Sequence, residues 1–562
     1  MSPKPLTRNL ALQHVVYKNR WRDVFDGTVP EGWQPTKSVS IVIPSYNSAT
    51  LPFTLASIAA QDYPEDLLEV IVVDDGSEPP VEIGEFAHPN TRVLRIKYEE
   101  GEGWGRANGT YRAIEASTGD IIYWVDSDMV LFRDNVRQHA KYAHFIPEAA
   151  TIGHKGFIEA WPDFTPEKVY EGVKSGDVEN WFDLSTLHKH WSLAVFDETD
   201  DLNDSAGRNY STHMGACATV TREVYNRSGK TDFTLHLGED THIAYEIWQA
   251  GGVFIPVNEA KTFHLGPATI VTQGEAVAHH NNTYFAQRMP IPRYRRSSAQ
   301  RQWTVPYVTA VVETGFDTAK YARACVDGIL NSTESDVKVL LVGPWSTLTD
   351  QRRSVLKDPN NELYLVQEWY RNEGRVELVE EAPQNVAPSP YRIDVPVTTL
   401  FAPHTLDHIM RYVYEETVGV AKFFPQVGHD DDKVITVLHT PALGRALPYV
   451  SETVTLDEAL DAVWDIHWLS SMDLGLKDLV QSGLPERISS RDIELAALEG
   501  DLAAARKEIR SLENLKRPAG IRYQAQYLLG RTTLVAERAG RFARKSFRGV
   551  VDRVRERQQP RR

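Results

Sequence analysis

Cysteine is almost missing: Cys217 and Cys325 are the only two in 562 residues. Two thiols cannot build a disulfide framework or a thiolate zinc site, which fits a reducing compartment. Long apolar runs are missing as well. Without a stretch of about 18 apolar residues, the chain does not read as integral to a membrane. The opening segment "MSPKPLTRNLALQHVVYKNRW" has polar residues where a secretory signal needs an uninterrupted apolar core, so a cytoplasmic protein is expected.

What is present reads as ordinary globular protein, with 42% hydrophobic and 25% charged residues. The length exceeds what one hydrophobic core supports, so two or three domains are expected. Charge is unevenly placed. From Lys516 onward 14 Lys and Arg face 3 Asp and Glu, so the rest of the chain carries −27 against a total of −16. The tail is a separate electrostatic object.

Five pieces follow from the pattern. Residues 1–38 form an arm with one expected helix, closed by the Gly- and Pro-punctuated loop "GTVPEGWQPTKS". At 39–303 apolar strands alternate with helix-period segments: "VSIVIPSYN", then Leu51, Leu55 and Ile58, then "EVIVVDDGS", "TRVLRIKYEE", the helix "GTYRAIEASTG" and the strand "DIIYWVDSD". This predicts an α/β fold with a mostly parallel sheet flanked by helices. A second α/β unit is expected at 304–475, a coiled coil at 486–515 and a basic amphipathic tail at 516–562.

In parallel sheets the ligand crevice lies beyond the carboxyl ends of the strands. Three strands here end in "PSYN", "DDGS" and "DSD", so their polar termini converge on one rim. Asp126 and Asp128, one residue apart, can both turn toward a divalent cation, Mg²⁺ or Mn²⁺, and toward the diphosphate that it would neutralise. Asp-x-Asp in an acidic surface loop is commonly only solvated. Its place at the end of an apolar strand favours the functional reading.

The blocks "VSIVIPSYNSATLPFTLASIAAQDYPEDLLEVIVVDDGS", "RAIEASTGDIIYWVDSD" and "LGEDTHIAYEIWQAGG" resemble, in order and spacing, the family 2 glycosyltransferases. These are inverting enzymes of the GT-A fold that use nucleotide sugars, and the resemblance covers roughly residues 39–270. It implies that Pro44, Tyr46, Asp74 and Asp75 line the nucleoside pocket and that Asp126 and Asp128 form the metal and diphosphate site. It also implies that Glu239 and Asp240 lie on the acceptor side, with Asp240 the better general base. An N-cap role is the alternative for Asp240. His264 is a candidate third metal ligand, a structural histidine being the alternative. The family's usual Asn falls on Tyr111, while "GWGRANG" supplies Arg106 and Asn108 upstream; Arg106 is carried as a donor contact. Arg293, Arg295 and Arg296 are candidate phosphate or acceptor contacts. They do not form a clean Q-x-x-R-W signature of the processive membrane synthases.

The chemistry asks for the same residues. Inverting transfer needs one carboxylate to deprotonate the acceptor hydroxyl and a cation at the departing diphosphate. The stretch Trp161–His213 is rich in aromatics and acids, and reads either as an acceptor-binding insertion or as packing. In the second unit a shift of 269 residues places Gly343 and Pro344 at Asp74 and Asp75. A looser shift of 300 places "PQVG" (425–428) at "VDSD". A degenerate GT-A-like domain without donor chemistry is the expectation, an unrelated α/β domain the alternative.

Ile488, Leu495, Leu502 and Ile509, with Leu498, Ala505 and Leu512, keep a 3.5-residue period and predict a self-associating coiled coil, a dimer being favoured. A long helix docked on its own domain is the alternative. Tyr523, Tyr527, Leu528, Leu529, Phe542, Phe547 and Val550 among arginines suit an anionic membrane surface. Nucleic acid is not an expected partner. The expectation is a glycosyltransferase at the inner face of the cell membrane, moving a sugar from a nucleotide diphosphate donor, a UDP-sugar, to a cell-surface glycopolymer or lipid-linked precursor. A non-catalytic glycan-binding scaffold is the alternative, against which the intact "DSD" and "GED" speak. A nucleotidyltransferase would need a Gly-rich basic opening loop where "PSYNSAT" stands.

Overall fold

A computed structural model describes residues 9–480 apart from 97–102, 162, 188–189, 206, 208, 214, 268, 297–300, 425–432 and 472–473. The expected coiled coil and basic tail lie outside the described residues. Among those described, no helix is long and apolar enough to cross a membrane.

The first unit runs β1 (Val39–Ser45), α1 (Leu51–Ala59), β2 (Leu68–Asp74), β3 (Thr91–Arg95), α2 (Arg106–Glu115), β4 (Ile121–Val125), β5 (Met129–Leu131) and α3 (Asn135–Phe145). It continues through β6 (Ala149–Ile158), α4 (Pro166–Ser175), α5 (Ser192–Glu198), β7 (Cys217–Thr221), α6 (Arg222–Arg227), α7 (Glu239–Gln249), β8 (Val253–Leu265) and α8 (Thr269–Arg288). The strand order is β3-β2-β1-β4-β7-β6-β8-β5. Only β7 and β5 run against the other six strands. Ile41, Val42, Ile43 and Val70 to Val73 are fully buried, as strands covered on both faces must be. The carboxyl ends of β1, β2 and β4 therefore share one rim, as the sequence pattern predicts.

The second unit holds β9 (Val308–Glu313), α9 (Ala319–Leu330), β10 (Val337–Val342), α10 (Asn361–Tyr370), β11 (Val376–Val379), β12 (Tyr391–Asp394), β13 (Thr399–Leu400) and α11 (Thr405–Glu415). It ends with β14 (Val420–Phe424), β15 (Ile435–His439), α12 (Thr440–Ala446), α13 (Leu456–Val463), β16 (Ile466–Ser470) and β17 (Lys477–Asp478). Its main sheet is ordered β11-β10-β9-β12-β15-β14-β16. Strand for strand, order and sense repeat those of β3-β2-β1-β4-β7-β6-β8.

Register makes the correspondence residue-specific. Val308 pairs with Val337 and Tyr391 as Val39 pairs with Leu68 and Ile121. Gly343 and Pro344 thus stand where Asp74 and Asp75 do, as expected. The same register puts Pro396, Val397 and Thr398 where Asp126, Ser127 and Asp128 stand. This corrects the alignment of "VDSD" with residues 425–428: those follow β14, which lies between β15 and β16 and so corresponds to β6 rather than β4.

The N-terminal arm is a second correction. Its described part holds no α-helix, only short 3₁₀ turns at Leu10–Leu12 and Trp21–Asp23. The reason lies in what it covers: Leu12 and Val15 pack into the second unit, Val16, Trp21 and Phe25 into the first. Consecutive Val15 and Val16 thus serve two different cores, in a segment of short turns rather than a regular helix with one buried face. Arg445 locks this strap. Its buried guanidinium donates to the carbonyls of Gly251 (2.7 Å), Gly252 (3.0 Å) and Val16 (3.2 Å), and also to that of Lys18.

Candidate active site

Asp126 and Asp128 occupy the short link between β4 and β5. The carbonyl of Ser127 between them accepts hydrogen bonds from Thr50 Oγ1 (2.9 Å) and Ser48 Oγ (3.3 Å), which fixes the link to the start of α1. His264 arrives from β8, directly opposite Met129 in the antiparallel β5–β8 register. One ligand atom from each of Asp126, Asp128 and His264 can lie within 4.8 Å of the others.

The imidazole is already oriented. Its Nδ1–H donates to the Gly266 carbonyl at 3.0 Å, leaving Nε2 as a lone-pair atom 3.7 Å from Asp128 Oδ1. That Oδ1 is buried and accepts no hydrogen bond. Burial raises the Asp128 carboxyl above the usual carboxylate range; His264 opposes the shift and Asp126 adds to it. Two carboxylates, one oriented imidazole and an unsatisfied buried oxygen fit a divalent cation of the Mn²⁺ or Mg²⁺ type.

Arg106 joins this cluster to the acidic pair. It is the first residue of α2, preceded by Gly105 at φ +90°, whose N–H donates to Asp75 Oδ2 at 2.9 Å. The guanidinium reaches Asp126 Oδ1 at 2.6 Å and Glu239 Oε1 at 3.0 Å. Burial pushes the Glu239 carboxyl up; Arg106 pulls against it. Glu239 is thus engaged by Arg106. Among the described residues Asp240 accepts only from the N–H (2.6 Å) and Oγ1 (3.3 Å) of Thr241, both at one oxygen. The N-cap of α7 is Gly238 at φ +78°, so Asp240 lies in the first turn and the capping alternative does not hold.

Asp74 is spent on structure. Its Oδ1 accepts from the Ser77 N–H (2.7 Å), and its Oδ2 from the Val81 N–H (3.1 Å) and Arg95 (2.6 Å). Burial works to raise this carboxyl, but those amides and Arg95 hold it below the ordinary range. These bonds shape the loop after β2 and orient the carboxylate. Pro44, at the end of β1, packs beside Gly109, where an added Cβ would sit 3.4 Å from the proline Cβ. Tyr46 is exposed at the same rim.

Other candidates lie elsewhere. Arg293 pairs with Glu334 (2.8 Å) and Asp336 (2.7 Å), and Arg296 with Asp336 (2.7 Å), so both tie the linker to the second unit. Arg295 stacks on Phe285. In the insertion after β6, Phe164, Trp181, Phe182, Leu184 and Leu187 pack on the core under α4 and β8, the packing reading of that stretch. Two residues escape sequence reasoning. An added Cβ on Gly215 would lie 3.0 Å from Arg106 Nη2 and 3.4 Å from Asp240 Cβ, so a side chain there would press on both. Lys155 on β6 is 6% exposed, and its ammonium pKa is lowered by burial, against which Asp126 and Asp240 act. The signal for it is a lysine inside the otherwise uncharged strand "AATIGHKGFI".

Residues 40–198 match the family profile described as Glycosyl transferase family 2. That segment is a family 2 glycosyltransferase domain. Over 365 residues the chain is 26% identical to a chondroitin synthase of Escherichia coli, covering 61% of this chain and 50% of that one. It is 23% identical to a hyaluronan synthase of Pasteurella multocida, covering 62% and 36%. A shorter match, 39% over 119 residues, is to an N-acetylglucosaminyltransferase of Mesorhizobium japonicum, covering 20% and 27%. The chain spans half or less of the length of these relatives. The mixed α/β sheet of the first unit agrees with the GT-A architecture that the sequence resemblance implies.

Proposed function

We propose that the chain is a metal-dependent, inverting glycosyltransferase that moves a sugar from a nucleotide diphosphate, a UDP-sugar, to a hydroxyl of a cell-surface glycopolymer or its lipid-linked precursor. The observation that carries this is the Asp126–Asp128–His264 cluster, tied through Arg106 to the Glu239–Asp240 pair. The names of the relatives, polysaccharide synthases and a sugar transferase, support the acceptor class.

Asp126, Asp128 and His264 would hold Mn²⁺ or Mg²⁺. Such an ion, when bound, supplies charge neutralisation to a diphosphate leaving group. Asp240 takes the proton of the acceptor hydroxyl as its oxygen bonds to the anomeric carbon, and the carbon–oxygen bond to the diphosphate breaks on the opposite face. Arg106 and Glu239 fix the spacing between the two ends. Asp75, through Gly105, ties the nucleoside side to the same loop. The second unit, with Pro396, Val397 and Thr398 in place of the acidic triplet, is read as a degenerate GT-A-like domain that scaffolds the first. The tail and coiled coil serve attachment to anionic membrane and self-association.

The test is a panel of nucleotide sugars incubated with the full chain, with and without Mn²⁺ and EDTA. Metal-dependent release of UDP and a product of inverted anomeric configuration are expected. Full activity in EDTA would sink the metal assignment, and a retained anomer the inverting one.

A further inference from the structure

Trp104 is 54% exposed, yet it is held as firmly as a buried ring. Its indole lies flat on the imidazole of His236, centroids 4.0 Å apart and planes 9° from parallel. His236 Nδ1–H donates to the Trp104 carbonyl at 3.2 Å, and the next residue, Gly105, is pinned by Asp75. Beside this stack a second pair joins the same two segments: Tyr111 of α2 lies 5.3 Å from Phe233, itself 46% exposed. Among the described residues neither Trp104 nor Phe233 belongs to a hydrophobic core.

We propose that Trp104, backed by His236, is the platform on which a pyranose ring of the acceptor glycan stacks. An exposed, pre-oriented indole offers a broad apolar face at little cost in conformational entropy. Sugar rings present the matching axial C–H face. The position selects the acceptor. His236 stands three residues before Glu239 on the loop that leads into α7, and Trp104 two residues before Arg106, which grips Glu239. The indole rests on that loop through His236, and its own segment also reaches Asp75 beyond β2 through Gly105, so a nucleobase is the rival occupant that the titration must exclude. A ring stacked here would enter from the side of Asp240. The platform rests on the glycosyltransferase reading for its location, but binding to it does not require turnover.

The experiment is calorimetric titration of the full-length protein with hyaluronan and chitin hexasaccharides, alongside UDP, for wild type, Trp104→Ala, Trp104→Phe and Trp191→Ala. Trp191 is also half exposed and serves as the aromatic control. Loss of one stacked ring should weaken hexasaccharide binding about tenfold in Trp104→Ala, the scale of an aromatic contact. Trp104→Phe should recover most of it, and UDP binding should stay unchanged in every variant. Three results overturn the platform: no hexasaccharide bound by wild type, equal binding by Trp104→Ala, or loss of UDP rather than glycan, which would make Trp104 a nucleobase contact. Failure of donor hydrolysis in wild type with these binding differences intact would defeat the transferase reading and leave the platform standing.

Discussion

At Asp128 a buried carboxylate oxygen without a hydrogen bond faces an imidazole nitrogen that Gly266 has already turned toward it. Replacing that oxygen's charge with an amide should leave the fold intact and remove the anchor for a cation. Asp128→Asn is expected to lower kcat/KM on the order of a thousandfold, the several kcal/mol that a metal contributes, and to abolish Mn²⁺-dependent donor binding. Manganese titration by electron paramagnetic resonance checks the second point without turnover; unchanged Mn²⁺ uptake would refute the site. Asp240 should behave differently. Asp240→Asn keeps donor binding and loses turnover by about 10² to 10⁴, since only the proton acceptor is removed. If instead donor affinity collapses while the rate at saturation holds, Asp240 belongs to the donor pocket.

Helix α7 carries a second acid that does no chemistry at the site. Glu246 is buried against Gly229, 3.5 Å from His242, and burial raises its carboxyl to about 7 while lowering His242 to about 4. Because the folded value lies above the unfolded one, the stability due to the protonated acid is complete below about pH 4.5 and is lost as pH rises through about 7. The Tm of Glu246→Gln should therefore rise relative to that of wild type as pH goes from 5 to 8; a difference between the two proteins that stays level over that range would contradict the assignment. The elements themselves were largely legible, for a physical reason: β1, β2 and β4 are apolar runs ended by polar residues, acidic in β2 and β4, and α7 keeps helical period after "GED". What the sequence concealed depends on contacts between distant segments. Asp74 reads as a nucleoside-pocket residue, and its bonds to Ser77, Val81 and Arg95, which shape the loop after β2, are not legible in the sequence. No sequence reading reaches Lys155, because only the folded sheet buries it within the field of Asp126 and Asp240. The arm reads as a helix because its apolar residues suit one, whereas two separate cores divide Val15 from Val16.

Across the whole molecule the strap and Arg445 make the two units one packed body. Removing the guanidinium leaves the carbonyls of Val16, Lys18, Gly251 and Gly252 buried without donors, so Arg445→Met should destabilise the fold by about 3 kcal/mol or more. Calorimetry is the check, and an unchanged Tm would show the clamp to be idle. Among the described residues of this two-unit body no helix is long and apolar enough to cross a bilayer, and the proposed membrane attachment is assigned to the basic tail. Heptads at 486–515 and the +11 balance beyond Lys516 are separable in sequence, so their roles should separate by truncation. Ending the chain after residue 515 should keep the oligomer and abolish binding to anionic vesicles; ending it after residue 485 should abolish both. Neither change should affect transfer to a short soluble acceptor, because the proposed chemistry lies wholly before residue 270. Vesicle binding by the full chain should weaken as salt rises, since attraction between exposed charges fades over about 8 Å at physiological ionic strength. A monomer on truncation at 515, or a full chain that ignores anionic vesicles at low salt, would remove the corresponding half of this picture.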